Sequence, residues 1–123
     1  MRKIQEISKS EMEVMQVIWA AEGSVTSAEI QQVLNKGKSW KPTTVLTFLA
    51  RLAEKGIIET SKKGKSNQYV PLISECEYRQ FKTRSFLNSV HKGSIKCFIA
   101  ALYEGDGISK EEIRELKKWL SQR

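Results

Sequence analysis

At four candidate helix starts along the chain a hydroxyl residue is followed three positions later by glutamate, just ahead of apolar residues at helical spacing. The pairs are Ser8 with Glu11, Thr26 with Glu29, Ser74 with Glu77, and Ser109 with Glu112. In such a capping box the hydroxyl accepts an early backbone N–H of a helix and the glutamate reaches back to the N–H of the capping residue. Each box is bracketed by an apolar pair placed as a hydrophobic staple: Ile7 and Met12, Val25 and Ile30, Ile73 and Tyr78, Ile108 and Ile113. Four helices are therefore predicted from their starts alone. The first runs from Ile7 to Ala21 with Met12, Met15, Ile18 and Trp19 inward, and the second from Thr26 to about Asn35. The fourth runs from Ser74 to Val90 and is ended by His91, Lys92 and Gly93. A fifth amphipathic stretch carries Ile95, Phe98, Ile99 and Leu102 before the break E-G-D-G-I, and the sixth begins at Ser109.

The third helix, predicted within Trp40 to Gly56, departs from the pattern. Pro42 suits its first position, where a missing N–H costs nothing, and Gly56 suits a left-handed stop. Val45, Phe48, Leu49 and Leu52 recur at i, i+3, i+4 and i+7 and form an inward face. Thr43, Thr47, Ala50 and Glu54 fall opposite, with Leu46 on the flank. Small hydroxyls, an alanine and an exposed leucine suit a base-pair edge better than water. Unlike the other boxes, Trp40-Lys41-Pro42-Thr43-Thr44 has no carboxylate, which leaves free N–H groups and the positive helix end available to a phosphate.

Ile57 to Lys62 and Ser66 to Leu72 are short β-tolerant runs joined through K-G-K, a hairpin with a basic tip. Two helices, a basic loop, a third helix and a hairpin make a winged helix-turn-helix, in which the third helix enters the major groove. The expected fold class is mostly α with a small β-hairpin wing. A winged-helix DNA-binding domain is expected over residues 1–73 and a C-terminal helical dimerisation domain over residues 74–123.

Charge sharpens this picture. The chain of 123 residues carries 21 Lys plus Arg against 14 Asp plus Glu, a formal charge of +7, which suits a polyanionic partner. Between Lys36 and Lys65 there are eight basic residues and two acidic ones, so most of the excess lies around the third helix. Lys41, Thr43, Thr44, Leu46, Thr47, Ala50 and Arg51 of the helix are the candidate DNA contacts, with Lys38, Lys62, Lys63, Lys65 and Ser66 of the loop and wing. Thr43 and Thr44 can bond phosphate or base edges, and Leu46, Ala50 and the Thr47 methyl can pack on thymine methyls. Arg51 reads as a phosphate clamp, with a surface ion pair to Glu54 as the alternative.

The last three helices carry more apolar surface than some fifty residues can easily bury alone, and pairing with a second copy accounts for it, with packing within the chain as the alternative. Phe81, Phe86, Leu87, Val90, Ile95, Phe98, Ile99, Leu102, Ile113, Leu116 and Leu120 are the expected dimer interface. Cys76, Cys97 and the single His91 form no zinc spacing, so no metal or cofactor is expected and the two thiols are read as buried or idle. Without a nucleophile and base pair or a carboxylate pair, no enzyme is expected. No apolar run approaches the roughly 18 residues that span a bilayer, and M-R-K-I-Q-E-I lacks a signal-peptide core, so the expected location is the cytoplasm.

The layout S-x-x-E-x-x-V-M-x-x-I-W from Ser8, then S-W-K-P-T-T-V-L-T-F-L-A-R-L-A-E-K-G-I-I from Ser39, then N-Q-Y-V-P-L, resembles the penicillinase repressor family, the BlaI/MecI-type regulators of β-lactam resistance. The resemblance implies a homodimeric winged-helix repressor that binds an inverted-repeat operator, often with TACA/TGTA half-sites, and dimerises through its C-terminal helices. It also implies a membrane sensor and cleavage at an Asn-Phe bond in the fifth helix. The corresponding positions here are Ala101 and Leu102, a departure from that pattern. Copper-responsive relatives carry a C-terminal C-x-C cluster, and the tail R-E-L-K-K-W-L-S-Q-R has no cysteine. Position 46 is leucine where some relatives have a basic residue. The competing function is a winged-helix protein-interaction module without specific DNA binding.

Overall fold

A computed structural model describes residues 4–123; the M-R-K start used in the signal-peptide expectation lies outside them. The elements run α1 (Lys9–Ala20), α2 (Ser27–Leu34), α3 (Pro42–Glu54), β1 (Ile58–Lys63), β2 (Ser66–Pro71), α4 (Glu75–His91), α5 (Ile95–Glu104) and α6 (Lys110–Ser121). All four capping boxes form. Ser8, Thr26 and Ser109 each accept the N–H of their glutamate partner and receive its carboxylate in return, and Ser74 with Glu77 does the same at 3.0 and 3.1 Å. α3 starts on Pro42 behind Lys41, which makes no side-chain cap bond. It ends in a Schellman turn, with Gly56 N–H on the Ala53 carbonyl and Ile57 N–H on that of Leu52, both at 3.0 Å. Gly56 sits at φ 75°, the left-handed conformation that closes this turn without a Cβ clash.

The chain divides into two compact units, the first ending at Phe81 and the second spanning Lys82–Arg123, so the division falls inside α4 rather than ahead of it. The first unit has the core. Val14, Met15 and Ile18 of α1, Ile30 of α2, Val45, Leu49 and Leu52 of α3, and Ile57, Ile58 and Tyr69 beside or on the hairpin are all buried. The inward stripe of α1 differs from the expected one: Val14 is fully buried, while Met12 and Trp19 pack half-buried at its edge. Trp19 is held there because its indole N–H donates to the Ile73 carbonyl at 2.9 Å. Phe48 on α3 is likewise half-buried, edge-on to the buried Trp40 at 5.8 Å.

The hairpin is antiparallel with Lys63 opposite Ser66, so only Gly64 and Lys65 form its tip, and Gly64 takes φ 67°. A two-residue turn of that hand requires positive φ, which glycine adopts at least cost. β1 begins at Ile58 instead of Ile57 because Ile57 is used in the α3 stop, although its carbonyl still accepts the Leu72 N–H at 2.8 Å. Val25, ahead of α2, adds a single bridge to Tyr69 of β2.

In the second unit the chain from Lys82 onward contains no buried side chain. Phe86, His91 and Phe98 stack edge-on with centroids 5.5 to 6.2 Å apart, and α4 stops where Lys92 and Gly93 both turn to positive φ. Phe86, Val90, Ile95, Tyr103, Trp119 and Leu120 are 44–67% exposed. Among the described residues no helix is long and apolar enough to cross a membrane.

Candidate nucleic-acid interface

The outward face of α3 is built by the inward one. Val45, Leu49 and Leu52 are buried at spacings that seat the helix on α1 and α2, so Thr43, Leu46, Thr47, Ala50 and Arg51 are exposed. Leu46 is 46% exposed, an apolar side chain with no core to join. The Thr47 hydroxyl donates to the Thr43 carbonyl at 2.9 Å. That bond occupies the hydroxyl proton and leaves its oxygen and methyl for an outside group. Arg51 lies over the Phe48 ring at 5.7 Å and forms no ion pair among the described residues, so the alternative reading as a partner of Glu54 has no geometric support.

The start of α3 is prepared from the loop before it. Trp40 is fixed through both its backbone groups: its N–H donates to Asn35 Oδ1 at 2.7 Å and its carbonyl accepts from Gln31 Nε2 at 2.8 Å. Lys41 then presents the first turn, which has no acidic residue and no side-chain cap. Pro42 has no N–H and that of Thr44 donates to the Lys41 carbonyl at 3.0 Å, so the Thr43 N–H and the partial positive charge of the helix end are left for an outside acceptor. An open cleft of about 430 Å³ lies here, lined by Ser10, Lys38, Ser39, Lys41, Thr44 and the two aromatic rings Trp40 and Phe48. Lys38 lies 3.2 Å from Glu13 and 5.2 Å from the Trp40 ring; at 62% and 40% exposure the ion pair is weak and readily exchanged.

A second groove, of about 300 Å³, runs on the other flank between Leu46 of α3, Thr26, Ser27 and Ala28 at the start of α2, and Lys65, Ser66, Asn67 and Tyr69 of the wing. Its width is set by the Val25 and Tyr69 bridge, with Ser24 Oγ donating to Gln68 Oε1 at 2.9 Å alongside. Lys62 and Lys63 at the end of β1 and Lys65 at the hairpin tip are exposed. The structure thus gathers every residue read as a base or phosphate contact onto one unit. Ser10, Ser39, Ser27 and Asn67 line the same grooves without having been read as contacts, since isolated hydroxyls and amides carry no periodic signal, and Thr26, read only as a helix cap, joins them.

The residues read as a dimer interface divide differently. Phe81 packs half-buried against the first unit's core, with its ring 5.7 Å from that of Tyr78. Phe86, Val90, Ile95 and Leu120 are exposed, and Leu87, Phe98, Ile99, Leu102, Ile113 and Leu116 are half-buried within the second unit. Leu102 and Ala101 lie in α5. The thiols are exposed, not buried: Cys76 lies on the side of α4 away from the core that Tyr78 joins, and Cys97 lies in α5, which has no buried residue; Cys97 Sγ lies 3.2 Å from His91 Nδ1.

The sequence model of the penicillinase repressor matches residues 7–122. This chain belongs to the penicillinase repressor family. It is 38% identical to a penicillinase repressor of Bacillus licheniformis over 99% of this chain and 94% of that one. It is 32% identical to the methicillin resistance regulatory protein MecI of Staphylococcus aureus strain N315, over 98% of both. Among solved structures, the DNA-binding domain of the repressor BlaI is similar at a TM-score of 0.55 and 41% identity, over 63% of this chain and 94% of that one. The monomeric form of Bacillus licheniformis BlaI in complex with the blaP half-operator matches at 0.53, with the same identity and coverage. Membership of the penicillinase repressor family, a family of transcription regulators, fits the winged-helix architecture of the first unit.

Proposed function

We propose that this chain is a transcriptional repressor that binds an inverted-repeat duplex as a homodimer, with α3 in the major groove and the wing on the flanking backbone. The observation that carries the reading is the outward face of α3: hydroxyls, alanine and leucine, behind an acid-free and uncapped first turn, with a lysine-rich tip beside it. A related repressor has been seen on a half-operator, which supports the same use of the domain here. Lys62, Lys63, Lys65 and Arg51 act as phosphate contacts that fix register, and Thr43, Leu46, Thr47 and Ala50 meet base edges and thymine methyls. The second unit has no buried side chain of its own, so a second copy laid on its apolar residues supplies the missing core.

The test is fluorescence anisotropy of a TACA/TGTA inverted-repeat duplex against a scrambled one across salt concentrations. A preference of roughly a thousandfold at physiological salt supports the repressor. Equal weak binding to both favours the protein-interaction module instead.

A further inference from the structure

Lys55 follows the last residue of α3, and its ammonium is turned inward. Nζ lies 2.7 Å from Glu11 Oε1 and 3.1 Å from the Glu6 carbonyl oxygen. Glu11 is 2% exposed and the Lys55 side chain 26%. The same Oε1 accepts the Ser8 N–H at 2.7 Å, so one oxygen serves both the cap of α1 and the end of α3. Oε2 is buried and, among the described residues, has no hydrogen-bond partner. Between them, the Ile7 N–H donates to the Tyr78 hydroxyl at 3.0 Å. Glu6, Ile7 and Ser8 therefore give three consecutive backbone groups to α3, α4 and α1.

Net stability is not what sets such a pair apart, because well-packed apolar replacements of buried ion pairs are often neutral or better. What it supplies is direction. The contacts of Val45, Leu49 and Leu52 are apolar and tolerate small slides or rolls of α3, because burial of hydrocarbon is non-directional. The Lys55 ammonium reaches Oε1 and the Glu6 carbonyl together only when the end of α3 occupies one place against the start of α1.

We propose that Glu11 and Lys55 are a positioning pair that fixes the seat of α3, and through it the match between its outward face and base edges, and that Lys55 is not a phosphate contact. This rests on α3 being the recognition helix. The consequence is a division of labour among the lysines: those at the wing meet the backbone, and Lys55 holds the reader.

The experiment titrates the full chain with the inverted-repeat and scrambled duplexes at several salt concentrations. The variants are Lys55→Met and Glu11→Gln, with Lys63→Ala as the phosphate-contact comparison, and circular dichroism reports the folded fraction. Each pair variant is expected to lose about tenfold in preference for the repeat, the size of one lost base contact, at an unchanged salt slope. Glu11→Gln removes a negative charge, so its affinity for scrambled duplex stays level or rises. If Lys55→Met instead weakens both duplexes alike and the slope falls by about 0.9, Lys55 is a phosphate contact and the proposal is wrong. Unchanged preference in both variants overturns it as well. Should Lys55→Met unfold, Glu11→Gln keeps the side-chain shape and decides the matter alone. Loss of all preference in the unsubstituted chain sinks the repressor reading itself, an outcome visible before any variant is compared.

Discussion

Val25 and Tyr69 exchange both backbone hydrogen bonds, at 3.1 and 2.8 Å, and so fasten the wing to the residue ahead of α2. The Tyr69 ring is buried beneath that bridge. Tyr69→Ala is expected to cost about 3–5 kcal/mol of stability, the usual range for emptying an aromatic site in a core. The urea midpoint should fall with an unchanged m-value; a loss below about 1 kcal/mol would mean that the site collapses or is not core.

The acid-free start of α3 yields a prediction with opposite signs for stability and binding. Thr44 is the third residue of the helix, the position that holds glutamate in α1, α2 and α6. Thr44→Glu should stabilise the helix by about 0.3–1 kcal/mol through the dipole and yet abolish duplex binding, because the carboxylate would occupy the place proposed for a phosphate. Thermal melts and anisotropy on the same sample check it; retained binding would move the phosphate elsewhere.

Base and backbone contacts separate by their salt dependence. Leu46→Ala or Thr47→Ala should weaken the inverted repeat by about 1–3 kcal/mol and leave scrambled duplex little changed. Lys63→Ala should weaken both and lower the salt slope by about 0.9. Equal losses on both duplexes from all three variants would reverse the assignment.

Burial disfavours the charged form of the Glu11 carboxyl, but the Lys55 ammonium and the Ser8 N–H and hydroxyl outweigh it and hold its pKa below the ordinary value. A carboxyl depressed in the folded state contributes stability above its unfolded value of about 4.3, and loses it as pH falls through the folded value. The gap in melting temperature between the natural chain and Glu11→Gln should therefore be constant near neutrality and narrow below about pH 4.3. A gap independent of pH down to unfolding would remove Glu11 from the acid response.

Ile95 is 67% exposed and Leu120 56%, and both lie on helices without a covering layer. For the proposed homodimer, Ile95→Glu with Leu120→Glu should shift the chain from dimer to monomer in sedimentation, since a carboxylate on an apolar joint must be desolvated to pair. Affinity for the full inverted repeat should drop by at least about tenfold while that for a single half-site stays level, as expected when linkage of two sites is lost.

Helix starts, the basic hairpin tip and the bland face of α3 were all legible in the sequence, because each rests on interactions between residues a few positions apart. A capping box joins residues three apart, a helical face repeats every three or four, and a tight turn needs its glycine at one place. Family membership was legible for the same reason, in a contiguous motif around Pro42. Contacts between distant residues were not. Val14 displaced Met12 and Trp19 from the middle of the α1 face because α2 and α3 decide which flank is covered, and Trp19 found a partner in the Ile73 carbonyl, 54 residues away. Phe81 packs against the core of the first unit, although composition alone grouped it with Phe86 and Val90 farther along α4. Lys55 looked like one more positive charge in a basic region, and only the approach of α1 to the end of α3 turned it inward onto Glu11. Periodicity tells which residues share a face, but burial depends on what arrives to cover that face, and that is decided when the chain closes on itself.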